Sequence, residues 1–184
     1  MTARQLSDMG RLLQAAHFSA DKHRDQRRKG IRNTPYINHP LEVAERLNRI
    51  AGIENATILI AAILHDTIED TQTTEAELTV LFGIEIATIV TELSENKALH
   101  WTQRKRIEID DAAHLSLAGK LIKLSDKISN VHDTVTNPPA DWTIDRRRDY
   151  LIFAEKVADN CRGQNDALDA EFDRVLAEAR QKLK

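Results

Sequence analysis

Helical periodicity that proline and glycine rarely interrupt is the feature that most limits the fold of this chain. Its 184 residues contain only four prolines and six glycines, and no two glycines are close together. Apolar residues recur at intervals of three and four along most of the chain, whereas strict apolar alternation is rare. We therefore predict an all-α fold with a single domain spanning residues 1–184. The predicted helices cover residues 4–23, 40–50, 55–67, 74–82, 84–93, 101–112, 115–133, 143–161 and 165–183.

Local signals mark several boundaries of these helices. Pro40 suits the first turn of the second helix, and Asn55 is a residue type that caps a helix N-terminus. The pair Pro138-Pro139 breaks the chain after the seventh helix. A basic loop after the first helix leaves room for one minimal β-hairpin around Gly30.

Composition excludes several classes of protein. Lys and Arg number 26 against 29 Asp and Glu, so the formal net charge of −3 gives no overall positive field for nucleic acid. The longest uncharged apolar run, 56–64, is about half of the ~18 residues that cross a bilayer. One cysteine rules out an internal disulfide framework, and the N-terminus has no apolar signal region. We expect a cytoplasmic protein with neither nucleic-acid nor membrane partners, and its oligomeric state is left open.

The glycine pattern also limits how phosphate groups would be bound. A dinucleotide fingerprint or a P-loop needs clustered glycines so that the backbone can approach a phosphate. Neither motif is present, since Gly119-Lys120 is followed by Leu121. If this protein handles nucleotides, side chains or a metal ion must hold the phosphates.

The predicted third helix changes character abruptly after Leu64. Nine uncharged residues lead into His65-Asp66-Thr67-Ile68-Glu69-Asp70, whose four ionisable groups span roughly 140° of a helix. A solvated helix end is the ordinary explanation of such a cluster. However, the apolar turns before it place His65 near the rim of the core, where an imidazole beside carboxylates is a credible metal ligand.

Two residues elsewhere would complete a metal site. His39 precedes Pro40 at a predicted helix start, and Asp126 lies near the apolar face of the seventh helix. A salt bridge to Lys123 or Lys127 is the alternative explanation of Asp126. Together with residues 65 and 66, these side chains form a set of nitrogen and oxygen donors without thiolate. Such a set suits a divalent ion such as manganese, with positions left for water and phosphate.

Three blocks of sequence resemble the hydrolase domain of the RelA/SpoT family, which belongs to the HD phosphohydrolases. They are 26–29 with 34–40 (QRRK…TPYINHP), 64–71 (LHDTIEDT) and 120–130 (KLIKLSDKISN). The chain is most similar to the stand-alone small alarmone hydrolases, over residues 15–150. The resemblance implies an HD-type helical bundle that hydrolyses the 3′-pyrophosphate of guanosine tetraphosphate (ppGpp), and of pppGpp, to GDP or GTP and pyrophosphate. We expect the chain to lack the much larger synthetase domain of the long enzymes, and therefore to hydrolyse without synthesising.

The resemblance also assigns roles to residues. Those that would bind manganese are His39, His65, Asp66 and Asp126. Those that would orient and activate the attacking water are Glu69 and Asp70. Those that would contact the nucleotide are Arg28, Lys29, Asn130, Arg146 and Tyr150. Because the four carboxylates outweigh one divalent ion by two charges, we expect the basic residues to offset the repulsion of an anionic substrate.

The chain departs from the family at two places. The loop Gly30–Thr34 is longer than in the long enzymes, and Ser129 stands where relatives often have Tyr. Apart from these departures, two alternatives remain: an HD phosphohydrolase for another 3′-phosphorylated nucleotide, or a non-catalytic alarmone-binding regulator. We interpret the basic run 104–106 as a solvated face, and Trp101 and Trp142 as packing residues.

Overall fold

The computed structural model describes residues 6–184, and this part of the chain contains ten α-helices. They are Asp8–Lys22 (α1), Asn38–Arg49 (α2), Ala56–Leu64 (α3), Thr67–Asp70 (α4), Glu75–Phe82 (α5), Ile84–Leu93 (α6), Trp101–Ala112 (α7), Leu117–Thr136 (α8), Ile144–Cys161 (α9) and Asp166–Lys182 (α10). The predicted all-α class and the order of the predicted helices are confirmed. The helix start predicted at residue 4 lies outside the described residues.

The predicted end of the third helix is wrong, because α3 stops at Leu64 and a separate short helix, α4, follows. Side chains take over two carbonyl groups that a continuing helix would bond through its backbone. His65 Nδ1 lies 2.8 Å from the carbonyl oxygen of Ala62, and Thr67 Oγ1 donates to that of Leu64 at 2.7 Å. Such side-chain bonds compete with helix propagation. His65 and Asp66 therefore lie in a turn between two helices.

Helix α8 is the centre of the bundle and packs against α2, α6, α9 and α10. The largest fully buried side chains include Leu47, Ile60, Ile128 and Phe172, and burying a side chain of this kind contributes about 1.5–3 kcal/mol. This packing holds together α2, α3 and α8, the three elements that carry the predicted metal ligands. Among the described helices, none is both long enough and apolar enough to span a membrane.

The hairpin expected around Gly30 is present in a reduced form. It consists of one antiparallel bridge between Arg27 and Pro35. A second bridge joins Gly30 to Pro139 and ties the hairpin to the chain after α8. A Cβ atom at position 30 would lie 2.2 Å from the backbone oxygen of Asn137, so only glycine fits there. The basic residues of the hairpin are thereby held beside α8.

Candidate active site

One open cleft of about 1100 Å³ brings together every residue that the sequence predicts for the site. It lies between the hairpin, the α3–α4 turn, the α6–α7 loop, α8 and α9. The predicted residues that line it are Arg28, Lys29, His39, His65, Asp66, Glu69, Asp70, Asp126, Asn130, Arg146 and Tyr150. The size and chemistry of the cleft suit a polar, nucleotide-sized ligand.

Three predicted metal ligands converge at the base of the cleft. Donor atoms of His39, His65 and Asp126, all buried, lie within 4.8 Å of one another. Nε2 of His39 is 3.1 Å from Oδ1 of Asp126. Asp66 lies beside them, with Oδ2 3.1 Å from Nε2 of His65 and 3.6 Å from Nε2 of His39. All four predicted ligands are therefore neighbours.

The hydrogen bonding of His65 fits a metal ligand. Its Nδ1–H donates to the carbonyl oxygen of Ala62, which directs Nε2 toward the cluster. Nε2 is buried and makes no hydrogen bond, with Oδ2 of Asp66 3.1 Å away. Burial opposes a charge on His65, but Asp66 outweighs burial and raises the pKa of His65 to about 9. The site therefore attracts a positive charge to Nε2, which a divalent cation would supply.

The pKa values of the other two members of the cluster, His39 and Asp126, are both lowered, which leaves the histidine neutral and the acid ionised. Burial lowers the pKa of His39, and the nearby Arg28 lowers it further. Burial disfavours the carboxylate of Asp126, but Lys127 and His39 outweigh burial and hold its pKa well below the ordinary value. The cluster thus offers a neutral imidazole beside an ionised carboxylate. These are the protonation states in which both groups bind a metal.

Glu69 and Asp70 lie on α4, one turn beyond the ligand pair. Burial, followed by the charges of Glu95 and Asp66, raises the pKa of Glu69 to about 7. The backbone N–H of Glu95 donates to Oε2 of Glu69 at 3.1 Å. A carboxyl group with a pKa near neutrality both takes up and releases protons at working pH, which suits general acid–base chemistry.

Two side chains that the sequence analysis did not single out hold Asp70. Gln26 Nε2 donates to Oδ2 of Asp70 at 2.7 Å, and Nζ of Lys97 contacts Oδ1. Lys97 also lies 4.0 Å from Glu69. This lysine stands on the α6–α7 loop, where no motif marked it, so only the folded structure shows that it neutralises part of the carboxylate cluster.

Tyr36 is a further site residue that sequence reasoning missed. Its hydroxyl donates to Oδ2 of Asp66 at 2.7 Å. Burial and the charge of Asp66 raise the pKa of Tyr36, so the phenol keeps its proton and remains a donor. The quoted block 34–40 contains this tyrosine, and its position three residues before His39 was the available signal.

The predicted nucleotide contacts are not equally free to meet a ligand. Arg28 donates to Asp133 at 2.8 Å and to Oδ1 of Asn130 at 2.7 Å, so it is tied to α8. Arg146 is 58% exposed, and its guanidinium lies 4.9 Å from the ring centre of Trp142. The ring of Tyr150 packs 5.4 Å from the same indole. The α9 side of the cleft therefore offers an exposed cation and two aromatic rings.

The structure confirms one alternative for Asp126 and corrects another interpretation. Lys127 Nζ lies 3.1 Å from Oδ2 of Asp126 and 2.6 Å from Glu108, so the salt bridge coexists with the ligand cluster.

The solvated-face interpretation of 104–106 holds for Arg106 alone. Arg104 and Lys105 line the cleft and pair with Glu95, at 3.4 Å each. Folding of α7 against α9 turns these two side chains inward.

The packing interpretation is wrong for Trp101 but holds for Trp142, which is half-buried and packs against the ring of Tyr150. Trp101 is 62% exposed at the start of α7, and both Trp101 and Trp142 line the cleft. Each tryptophan stands at or before the first turn of a helix whose buried face is formed by other residues, which leaves the indole at the rim.

Comparison with known proteins places this geometry in a family. A family model described as HD domain matches residues 15–155. The guanosine-3′,5′-bis(diphosphate) 3′-pyrophosphohydrolase MESH1 of Xenopus tropicalis is 42% identical over 170 residues, which cover 92% of this chain and 95% of that protein. The human MESH1 protein is 42% identical over 163 residues, covering 89% and 91%.

A solved structure agrees with these relatives. It is described as a metazoan ortholog of SpoT that hydrolyses ppGpp and plays a role in starvation responses, and it superposes with a TM-score of 0.89 at 39% identity. The match covers 96% of this chain and 98% of that one. The chain therefore belongs to the HD-domain family, within the group that contains the stand-alone MESH1 hydrolases.

Proposed function

We propose that this protein is a metal-dependent pyrophosphohydrolase that removes the 3′-pyrophosphate of ppGpp, with manganese as the metal. The observation that carries the proposal is the convergence of His39, His65 and Asp126 beside Glu69 in one cleft. The MESH1 relatives, which bear this activity in their names, support the choice of substrate. The same reaction on pppGpp would release GTP in place of GDP.

The four predicted ligands His39, His65, Asp66 and Asp126 would hold the metal. Once bound there, a divalent cation supplies Lewis-acid activation of water and neutralises charge on the phosphate. Tyr36 fixes the orientation of Asp66 through its hydrogen bond. Lys127 does the same for Asp126, donating to its Oδ2 at 3.1 Å.

Glu69 manages the proton of the attacking water in this proposal. Because Oε2 of Glu69 accepts the N–H of Glu95, Oε1 is the oxygen that takes up the proton. The water oxygen attacks the phosphorus attached to the 3′-oxygen, and the bond between that phosphorus and the 3′-oxygen breaks. Glu69, whose pKa is near neutrality, then returns the proton to the 3′-oxygen, which becomes the 3′-hydroxyl of GDP. GDP and pyrophosphate leave as products. Asp70, held by Gln26 and Lys97, orients the water.

The nucleotide would lie along the α8–α9 side of the cleft. Arg146 on α9 and Lys29 on the adjoining hairpin are exposed, and they would pair with substrate phosphates. Tyr150 and Trp142 present aromatic surface beside Arg146. Arg28, already bound to Asp133 and Asn130, would meet the substrate only from this fixed position.

A substrate panel tests the proposal. Purified protein, stripped of metal and reloaded with manganese, is incubated with ppGpp, pppGpp and other 3′-phosphorylated nucleotides, and pyrophosphate and phosphate release are measured separately. We expect manganese-dependent release of pyrophosphate from ppGpp and stronger reactivation by manganese than by zinc. Release of phosphate alone from another nucleotide would assign a different substrate. Tight ppGpp binding without turnover would identify a regulator.

A further inference from the structure

Ser129 lies behind the candidate metal site rather than in the cleft. Its side chain is buried, with 1% of the residue exposed, and it does not line the cleft. The hydroxyl oxygen lies 3.2 Å from Nδ1 of His39 and 3.2 Å from Oε2 of Glu42. Ser129 follows Asp126 by one turn of α8, and Glu42 follows His39 by one turn of α2. The three side chains thus link the two ligand-bearing helices directly behind the ligands.

The direction of these hydrogen bonds follows from the charge of Glu42. Burial opposes ionisation of Glu42, but Arg46, whose Nη2 lies 2.6 Å from Oε1, outweighs burial and lowers its pKa. An ionised carboxylate only accepts hydrogen bonds, so Ser129 must donate its single hydrogen to Glu42. The serine oxygen is then left as an acceptor, which favours a hydrogen on Nδ1 of His39.

A hydrogen on Nδ1 determines the state of Nε2, the other ring nitrogen of His39. A neutral imidazole carries one N–H, so a hydrogen on Nδ1 leaves Nε2 with an unshared pair. Nε2 faces Oδ1 of Asp126 at 3.1 Å. Without a metal, Asp126 favours a hydrogen on Nε2 and so competes with Ser129 for the single hydrogen of the ring. With a metal between Nε2 and Oδ1, only the hydrogen on Nδ1 remains. The Glu42–Ser129 pair therefore favours the tautomer of His39 that binds a metal.

We propose that Ser129, supported by Glu42, is a positioning residue of the metal site that fixes His39 in its Nδ1–H tautomer. The proposal rests on the metal-dependent function proposed above, since it concerns how one ligand is held. It also gives a physical role to the serine that departs from the tyrosine often found at this position in relatives. Partners of this kind commonly change metal affinity 10- to 100-fold.

Ser125 provides a matched control on the same helix. It lies one turn before Ser129 and is equally buried, and its hydroxyl also bonds across to α2, donating to the carbonyl oxygen of Val43 at 3.0 Å. Its hydroxyl makes no bond to a histidine. Ser125→Ala therefore removes a similar interhelical hydrogen bond without changing the partner of His39.

The test uses the full chain and two measurements that need no substrate. The first is the affinity of the metal-stripped protein for manganese alone and for zinc alone, determined by calorimetry. The second is the tautomer of His39 in the metal-free protein, determined from ¹⁵N chemical shifts. We expect Ser129→Ala to weaken metal binding roughly 10- to 100-fold and to lower the Nδ1–H fraction. Ser129→Thr, which keeps the hydroxyl, restores both, and Ser125→Ala changes neither.

Two results would overturn the proposal. One is an unchanged tautomer and unchanged metal affinity in Ser129→Ala. The other is an equal loss of affinity in Ser125→Ala and Ser129→Ala, which would assign the effect to helix packing. Failure of the proposed function is distinguishable, because a parent protein that binds no divalent ion would refute that function. In that case, a changed tautomer of His39 in Ser129→Ala would still show that Ser129 influences His39. An unchanged tautomer would refute the positioning role of Ser129.

Discussion

Nε2 of His39 lies 3.1 Å from Oδ1 of Asp126, although α2 and α8 bring these two residues from distant parts of the sequence. Both side chains are buried, His39 at 3% and Asp126 at 9% exposure. Burying a histidine and an acid together costs free energy unless their polar atoms are satisfied. The contact between α2 and α8 therefore brings together two buried donor groups that could hold a metal ion.

Loss of the Asp126 carboxylate is expected to remove the metal. Asp126→Asn keeps the shape of the side chain but has no ionised oxygen, so manganese content after loading and desalting should fall from near one ion per chain to near zero. Turnover of ppGpp should disappear with the metal. Elemental analysis and thermal unfolding of the same sample separate metal loss from misfolding.

The control for this variant is Glu108→Gln. Glu108 is also a buried acid paired with Lys127, at 2.6 Å, but it is not a predicted ligand. The Glu108→Gln variant should keep its manganese even if it is less stable than the parent. Full metal occupancy in Asp126→Asn would show that Asp126 is not a ligand.

Glu69→Gln is expected to separate proton transfer from metal binding. The amide keeps the size of the side chain and its bond from the N–H of Glu95, but it cannot take up a proton from water. The variant should retain manganese and bind ppGpp, while kcat falls by roughly 10² or more. Metal content, ppGpp binding and single-turnover rates are the measurements. If metal and activity were lost together, Glu69 would be a ligand or a support for one.

The raised pKa of Glu69 also predicts how stability changes with pH. Burial and the charge of Glu95 raise this pKa from 4.5 to about 7, so between these values the folded protein holds a proton that the unfolded chain has released. The free energy of unfolding therefore decreases as the pH rises through this interval. Removing the ionisable group should make the metal-free Glu69→Gln protein more stable than the parent at about pH 8, by on the order of 1–2 kcal/mol.

This stability difference should vanish near pH 4 to 5, where the parent Glu69 is protonated in the folded state. Urea unfolding of both proteins at the two pH values, with a chelator present, measures it. Glu54→Gln, at an exposed position outside the cleft, should show no such pH-dependent gain. Equal stabilities of Glu69→Gln and the parent at the higher pH would show that burial does not disfavour the Glu69 carboxylate.

The sequence predicted which side chains meet at the base of the cleft because each of them belongs to a short motif. Residues 65–66 follow a continuous apolar run, and Asp126 falls on the buried face of a long amphipathic helix. Helix periodicity alone places such residues at the edge of the core. What periodicity missed is the break after Leu64, since it depends on side-chain bonds to two specific carbonyls.

Ion pairs that form only through tertiary packing could not be predicted from the sequence. Lys97 reaches Asp70 from a loop without regular structure, and Lys127 reaches Glu108 from a neighbouring helix. Likewise, the bond between Arg28 and Asp133 joins the hairpin to α8. In a sequence, charged residues such as these look like ordinary surface residues, because the neighbouring residues do not indicate which carboxylate they contact after folding.

Lys97 and Lys127 change the charge balance that the sequence suggested. Four carboxylates outweigh a divalent ion by two charges, but these two lysines contact Asp70 and Asp126 and offset the difference. These four carboxylates, the two lysines and one divalent ion then sum to zero formal charge before substrate binds. Exposed cations are still needed for affinity, because ppGpp brings a large negative charge of its own.

Arg146 is the cation on which substrate affinity is expected to depend most. It lines the cleft and is 58% exposed, and its ion pair with Asp141 is long, at 3.6 Å. By contrast, Arg28 already pairs with Asp133 at 2.8 Å. Because a less engaged guanidinium is free to meet a phosphate, Arg146→Ala should lower kcat/KM for ppGpp roughly three- to tenfold at low ionic strength.

Two comparisons test whether the defect of Arg146→Ala is electrostatic and local: the salt dependence of kcat/KM and the control variant Arg148→Ala. The defect of Arg146→Ala should shrink between about 0.01 M and about 1 M salt, as the screening length falls from roughly 30 Å to roughly 3 Å. Its manganese content should not change. Arg148→Ala is the matched control, because Arg148 lies in the same basic run but binds the backbone of Leu183 at 2.8 Å and does not line the cleft. It should leave kcat/KM at the parent value. If Arg146→Ala and Lys29→Ala also kept the parent kcat/KM at low salt, the phosphate contacts proposed for this side of the cleft would be wrong.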